Sequence, residues 1–429
     1  MAKMPDSIRP ARYVLADVRV PTDLVREVAG FGGQPDADCL RGDLLVVDGC
    51  ANRLLQLHNA EAGEIRFDAG GRVIIPALIE THAHLDKCHT IGRLGNIGGD
   101  LDAAIAAQGP DKSLWTEADI RSRAERGLNE FFNAGCRTVR SHVDWSDNVD
   151  APLAWYVLTQ LAQEWSGRIE LQLAALLDLQ IFENHSSART LMQTIARDRG
   201  VPGIFLLDQE RPEPALRNAF ELAAEFELDI DFHVDESLNT AHNGIELVAD
   251  AAIACSYRGR ILCGHACSLA SRDSETLARI IEKLVQLDLT VCALPSTNLY
   301  LQGRRQGTPD RRGLTRLHEL DAAGVRIVVG SDNVGDAFCP LGRHDPLHSL
   351  ATAALGTHLD PPFARWLRCV TVDAASALGV EPRWIDGAET EDLWLSDALS
   401  TAELIANGLN KPLSLDACMP PALEEARLA

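Results

Sequence analysis

A chain of 429 residues with 46% hydrophobic and 24% charged side chains is long and apolar enough for one large domain with an appendage, or for two domains, and excludes a disordered polymer. Forty basic residues against 62 acidic ones leave a net charge of -22, which argues against nucleic acid or an anionic membrane surface as partner. Eleven cysteines, scattered from Cys39 to Cys418 with no C-x-x-C pair, predict reduced thiols and a cytoplasmic setting. The segment from Met1 to Val14 has no apolar stretch typical of a signal peptide, and no apolar run approaches membrane-spanning length. The excess of acid is read as solubility, and self-association into a homo-oligomer stays open.

In chain order, residues 12 to 75 read as short strands, Tyr13-Val14-Leu15, Leu44 to Val47 and Glu64 to Phe67, punctuated by Gly33, Gly42, Gly49, Gly70 and Gly71. From Ile74 the texture changes to apolar runs alternating with helix-length amphipathic stretches. A first run ends near Ile79, and others cover Thr138 to His142, Leu171 to Leu177, Gly203 to Leu207, Ile230 to Val234, Ile261 to Gly264, Val291 to Leu294 and Val325 to Val329. Between them, Thr116 is a candidate N-cap for a helix carrying Ile120, Ala124, Leu128 and Phe131 on one face and stopping at Gly135. A second helix runs from Ser274 through Leu277, Ile280, Ile281 and Leu284. Eight strands with helical connections give the rhythm of a parallel (β/α)8 barrel, which an open doubly wound sheet would share. Leu393-Trp394-Leu395 suggests a return to β structure. The expected division is a barrel over 76–384 and a small β-sandwich domain drawn from both chain ends, 1–75 and 385–429.

Polar residues cluster where the apolar strands end. His82 and His84, in Thr81-His82-Ala83-His84-Leu85-Asp86, are two apart and share one strand face. His233-Val234-Asp235-Glu236, Gly264-His265 and Gly330-Ser331-Asp332-Asn333 close three more apolar runs. The carboxyl ends of barrel strands converge on one mouth, and several imidazoles with a carboxylate there suit Zn²⁺ or Fe²⁺. Each histidine alone would be a hydrogen-bonded barrel residue, and Asp332 alone a helix cap; four such residues at four strand ends make that reading poor.

With those motifs and the stretches Asn298 to Arg304 and Arg311 to Arg316, the chain resembles the amidohydrolase superfamily and, within it, the bacterial cytosine deaminase-like branch. The resemblance covers about Val47 to Leu395. It implies a TIM-type barrel and one divalent ion, zinc or iron, held by His82, His84, His233 and Asp332. No lysine stands in Phe205 to Glu210, where two-metal relatives carry a bridging one. The implied reaction is hydrolytic removal of an amino group from a small nitrogen heterocycle, releasing ammonia. Glu236 is then the proton shuttle, His265 orients the attacking water, and Asp332 passes a proton to the departing amine.

Three positions depart from the cytosine pattern: Asp178 stands where a glutamine reads the pyrimidine, Asn333 where an aspartate is expected, and Phe338 where a tryptophan covers the ring. A carboxylate only accepts hydrogen bonds, so Asp178 favours a ring that presents N–H donors. Asp86-Lys87 is similar to relatives acting on s-triazines and pterins. Lys87, Arg93 and Gln302 are further substrate-binding candidates, each weighed against a solvated loop charge or a loop brace. The alternative activity is removal of an alkylamine from an s-triazine, or opening of a cyclic amide.

Overall fold

The computed structural model describes residues 10–59, 64–95, 97–145, 150–304, 307–409 and 413–414. Cys418 and the outer parts of the expected small β domain lie outside these residues. Fifteen strands are described. They are β1 (Arg12–Pro21), β2 (Gln34–Asp36), β3 (Cys39–Val47), β4 (Cys50–Leu55), β5 (Arg66–Pro76), β6 (Leu78–Ala83), β7 (Cys136–Asp144), β8 (Glu170–Asp178), β9 (Val201–Leu206), β10 (Ile230–Val234), β11 (Ile261–His265), β12 (Thr290–Ala293), β13 (Arg326–Val329), β14 (Leu393–Leu395) and β15 (Leu413–Ser414).

Strands β6 to β13 form one eight-stranded sheet in sequence order, each parallel to the next. A parallel bridge between Ala83 and Asp332 brings the last strand back to the first, so the sheet is a nearly closed barrel rather than an open one. The strands are short and rich in Val, Ile and Leu because both faces are buried, one by the interior and one by surrounding helices. Ile79, Leu262, Cys292, Leu294 and Val328 pack with Ala374, Ala375 and Leu378 of the helix Val372–Leu378. On the outer face, Phe232 of β10 meets Phe220 with ring centroids 5.7 Å apart.

The other sheet has seven strands in the order β15-β14-β5-β1-β3-β2, with β4 on β3. It is mixed: β1 is antiparallel to β3 and parallel to β5, while β14 is antiparallel to β5. It therefore joins both ends of the chain. The apolar run Ile74 to Ile79, expected as one strand, is divided. Ile74, Ile75 and Pro76 finish β5 in the mixed sheet, Ala77 turns, and β6 continues past Ile79 to Ala83. Among the described residues, no helix is long and apolar enough to cross a membrane. The ten described cysteines are free.

Candidate metal centre and active site

The sequence pattern put His82 and His84 on one strand face, and they point together into the barrel mouth. Nε2 of His82 lies 3.1 Å from Nε2 of His233, which lies 3.4 Å from Nε2 of His84. Oδ1 of Asp332 is 3.2 Å from Nε2 of His84 and 3.6 Å from Nε2 of His82. All four side chains are buried. The backbone makes room for them: a Cβ on Gly264 of β11 would sit 3.0 Å from Cε1 of His82, and one on Gly330 would sit 3.0 Å from its Cβ. Asp332 and His265 adopt positive φ, 60° and 67°, a costly conformation for residues with a Cβ that concentrates at functional sites.

These residues fit a metal ion. Burial drives the pKa of His82 and His233 well below the ordinary histidine value and that of His84 to about 4, so all three imidazoles are neutral at pH 7. Three imidazole Nε2 atoms crowd together although each neutral ring has at most one N–H, and neither carboxylate oxygen of Asp332 has an aligned donor. Bond lengths of about 2.0–2.1 Å in a tetrahedron place ligand nitrogens about 3.3 Å apart, close to the observed spacings. Burial resists ionisation of Asp332, but His84 and His265 outweigh it and hold its carboxyl below the usual range.

Glu236 follows β10 and is also buried. Burial raises its pKa to about 7, where it can both take and give a proton. Its Oε2 is 3.6 Å from Nε2 of His265, and its Oε1 has no hydrogen-bond partner. Asp235 anchors this strand end, accepting from the backbone amides of Gly244 (2.6 Å) and Ile245 (3.3 Å) and from Ser268 Oγ (2.9 Å). Oδ1 of Asn298 lies 3.0 Å from Nδ1 of His265, which leaves the other ring nitrogen towards Glu236.

A cavity of about 250 Å³ opens over this set, lined by His84, His233, Glu236, His265 and Asp332. Asp178, Asn333, Phe338 and Lys87 line it as well, with Lys112, Asp144, Trp145 and Phe205. Oδ1 of Asp178 accepts from the backbone amide of Gln180 (2.8 Å), so one oxygen caps a turn and the other remains. Asn333 donates to Asp336 (2.8 Å), and the ammonium of Lys87 lies 4.7 Å from the centre of the Phe338 ring.

Two expected substrate contacts are placed elsewhere. Arg93 does not line the cavity; its guanidinium is held by Asp111 at 2.5 Å and Asp119 at 2.5 Å, which occupy four of its five donors. Gln302 lies behind the wall, where Nε2 donates to the backbone carbonyl of Glu236 (2.8 Å), so it braces the loop. Three neighbours of the site were quoted in the sequence without a role or passed over. His142, at the end of an apolar run like the other histidines, packs its ring 4.0 Å from that of His82 and 3.3 Å from Asp231. Asp144 and Lys112 form a cavity-wall group with Lys87, at 3.1 Å and 3.0 Å, and no spacing in the sequence announces it.

The sequence model of the amidohydrolase family matches residues 102–385. The chain is similar to pterin deaminase of Rhizobium rhizogenes, 32% identical over 371 residues that span 86% of this chain and 84% of that one. It is 23% identical to N-isopropylammelide isopropyl amidohydrolase of a Pseudomonas species, over 81% of this chain and 86% of that one. Among solved structures, 5-methylcytosine deaminase of Klebsiella pneumoniae liganded with phosphonocytosine superposes with a TM-score of 0.76. It is 25% identical, covering 94% of this chain and 96% of that one.

Proposed function

Because the chain belongs to the amidohydrolase family, we propose that it is a metal-dependent deaminase that hydrolyses the exocyclic C–N bond of a small 2-amino-4-oxo heterocycle, a pyrimidine or a pterin, and releases ammonia. The observation that carries the reading is the convergence of His82, His84, His233 and Asp332 beside Glu236 in one cavity. One divalent ion, zinc or iron, held by those four would act as a Lewis acid and ease deprotonation of water.

The remaining chemistry belongs to side chains. Glu236 takes a proton from the attacking water and delivers it to a ring nitrogen, which its pKa near 7 permits in both directions. Nε2 of His265 accepts a hydrogen bond from that water and so orients its oxygen towards the ring carbon. Asp332 carries the second proton to the departing amine. Asp178 offers an acceptor to ring N–H groups, and Phe338 covers the ring. Trp145 and Phe205 offer the ring an apolar wall in the same cavity. Similarity to a pterin deaminase supports the substrate class.

The test is release of ammonia by the zinc- or iron-loaded protein from cytosine, isocytosine, pterin and an N-alkylaminotriazine. Pterin or isocytosine should be turned over faster than cytosine, with ammonia as product. Release of an alkylamine alone, or cytosine preferred to every 2-amino ring, would overturn the proposal.

A further inference from the structure

A second group of metal-type ligands lies behind the loop that follows β6, away from the residues given a role above. One ligand atom from each of Cys88, His89 and His344 lies within 4.8 Å of the other two. Glu130, on the helix Glu117–Asn133, lies against the two imidazoles. Its Oε2 is 3.2 Å from Nε2 of His89 and 2.8 Å from Nδ1 of His344. Cys88 and the ring of His344 are fully buried, and Nε2 of His344 has no hydrogen-bond partner. Burying polar nitrogens without partners costs free energy, and a cation would recover it.

We propose that Cys88, His89 and His344 form a second, structural site for one zinc-class cation, with Glu130 beside the imidazoles as its charge partner. Thiolate and two imidazoles are donors this ion takes, and a water would complete a four-coordinate site. On binding, the S–H bond of Cys88 breaks and a sulfur–metal bond forms, and the proton leaves to solvent. Thiolate and carboxylate then carry two negative charges against two positive, so the buried set is neutral overall. The thiol gives up only weak hydrogen bonds, to the backbone carbonyls of Leu85 (3.4 Å) and Arg123 (3.5 Å). Glu130, 36% exposed, provides the way in from solvent.

The site has a mechanical role. The amide of His89 donates to the carbonyl of Val334 (3.0 Å) and that of Ile91 to Gly335 (2.8 Å), so the loops after β6 and β13 already lie together. An ion here would staple both to the helix that carries Glu130. Those loops bear Lys87 and Asn333 of the cavity wall.

The barrel-mouth set contains no sulfur, which makes the two sites separable by spectroscopy. The full-length apoprotein reconstituted with Co²⁺ should hold two ions per chain and show a near-ultraviolet sulfur-to-cobalt charge-transfer band. Cys88→Ser should lose that band and one ion, keeping the other; His82→Ala should keep the band and lose the mouth ion. A fully loaded wild-type protein without the band, or a Cys88→Ser protein that still binds two ions, overturns the proposal. The wild-type spectrum decides even if a variant misfolds, and it is independent of turnover.

Discussion

Replacing Glu236 by Gln keeps the shape of the side chain but removes its ability to carry a proton. Glu236→Gln should therefore retain the mouth ion and lower kcat by roughly 10²–10⁴-fold. Kinetics and metal analysis on one sample test this, and turnover above a tenth of wild type would contradict the shuttle. His82→Ala should instead lose mouth ion and activity together, because removing one of four donors weakens the site. Asp178→Gln supplies an amide that can both donate and accept. It should shift the cytosine-to-pterin kcat/KM ratio towards cytosine by roughly five- to a hundredfold, the worth of one buried polar group paired rather than unpaired. An unchanged ratio would mean that Asp178 only caps its turn. The positions of these residues were legible because each stands at or just beyond the end of an apolar strand, and several such ends converge on one mouth. Arg93 was misplaced because its partners Asp111 and Asp119 stand 18 and 26 positions away, and only the folded chain brings them to it.

The helix Glu117–Asn133 shows what an element adds. Thr116 caps it by accepting from the amide of Asp119, and Asn133 is followed by Ala134 and by Gly135 at φ 91°, so the predicted start and stop both stand. Thr116→Ala should cost about 1 kcal/mol of unfolding free energy, read from denaturant melts. Asp119 binds Arg93 and Arg123, and Arg123 in turn donates to the carbonyls of Asp86 (2.6 Å) and Cys88 (3.1 Å) in the loop beside the metal ligands. The Arg93 guanidinium, with that of Arg123, outweighs partial burial and holds the Asp119 carboxyl at about 2. A folded-state pKa below the unfolded value of about 3.9 gives stability that is complete above that value and disappears as pH falls through 2. Asp119→Asn should thus be less stable than wild type at pH 7, and acid titration of both proteins should close the gap between about pH 4 and pH 2. A gap that persists at pH 2 would show that the pair is not its source. Strand rhythm was equally readable, but the break at Ala77 was not. Ile74 to Ile79 is continuously apolar because it is buried in two sheets in succession, and burial leaves the same signature in each.

For the whole molecule, the ion and the fold are linked. A ligand that binds only the folded chain stabilises it by about 2.7 kcal/mol when present at a hundred times its Kd. Chelation should lower the Tm of the wild type in calorimetry, and by less in His82→Ala, which has already lost the mouth ion; equal shifts would place the stabilising metal elsewhere. That parallel strands alternate with helices was legible from eight apolar runs, whereas their closure into a barrel was not, since no local pattern states which strands end up adjacent. The closing contact has a consequence for how the protein is made. The amide of Asp332 donates to the carbonyl of His82 (2.8 Å), and the bridge from Ala83 to Asp332 completes the ring. The residues that shut the barrel are thus the ligands themselves or their neighbours, 250 positions apart, and contacts so distant in sequence form late. During synthesis the nascent chain presents three imidazoles long before the carboxylate emerges. Tight capture of the ion is therefore reserved for the finished polypeptide, and a truncated product would be left both ajar and metal-poor.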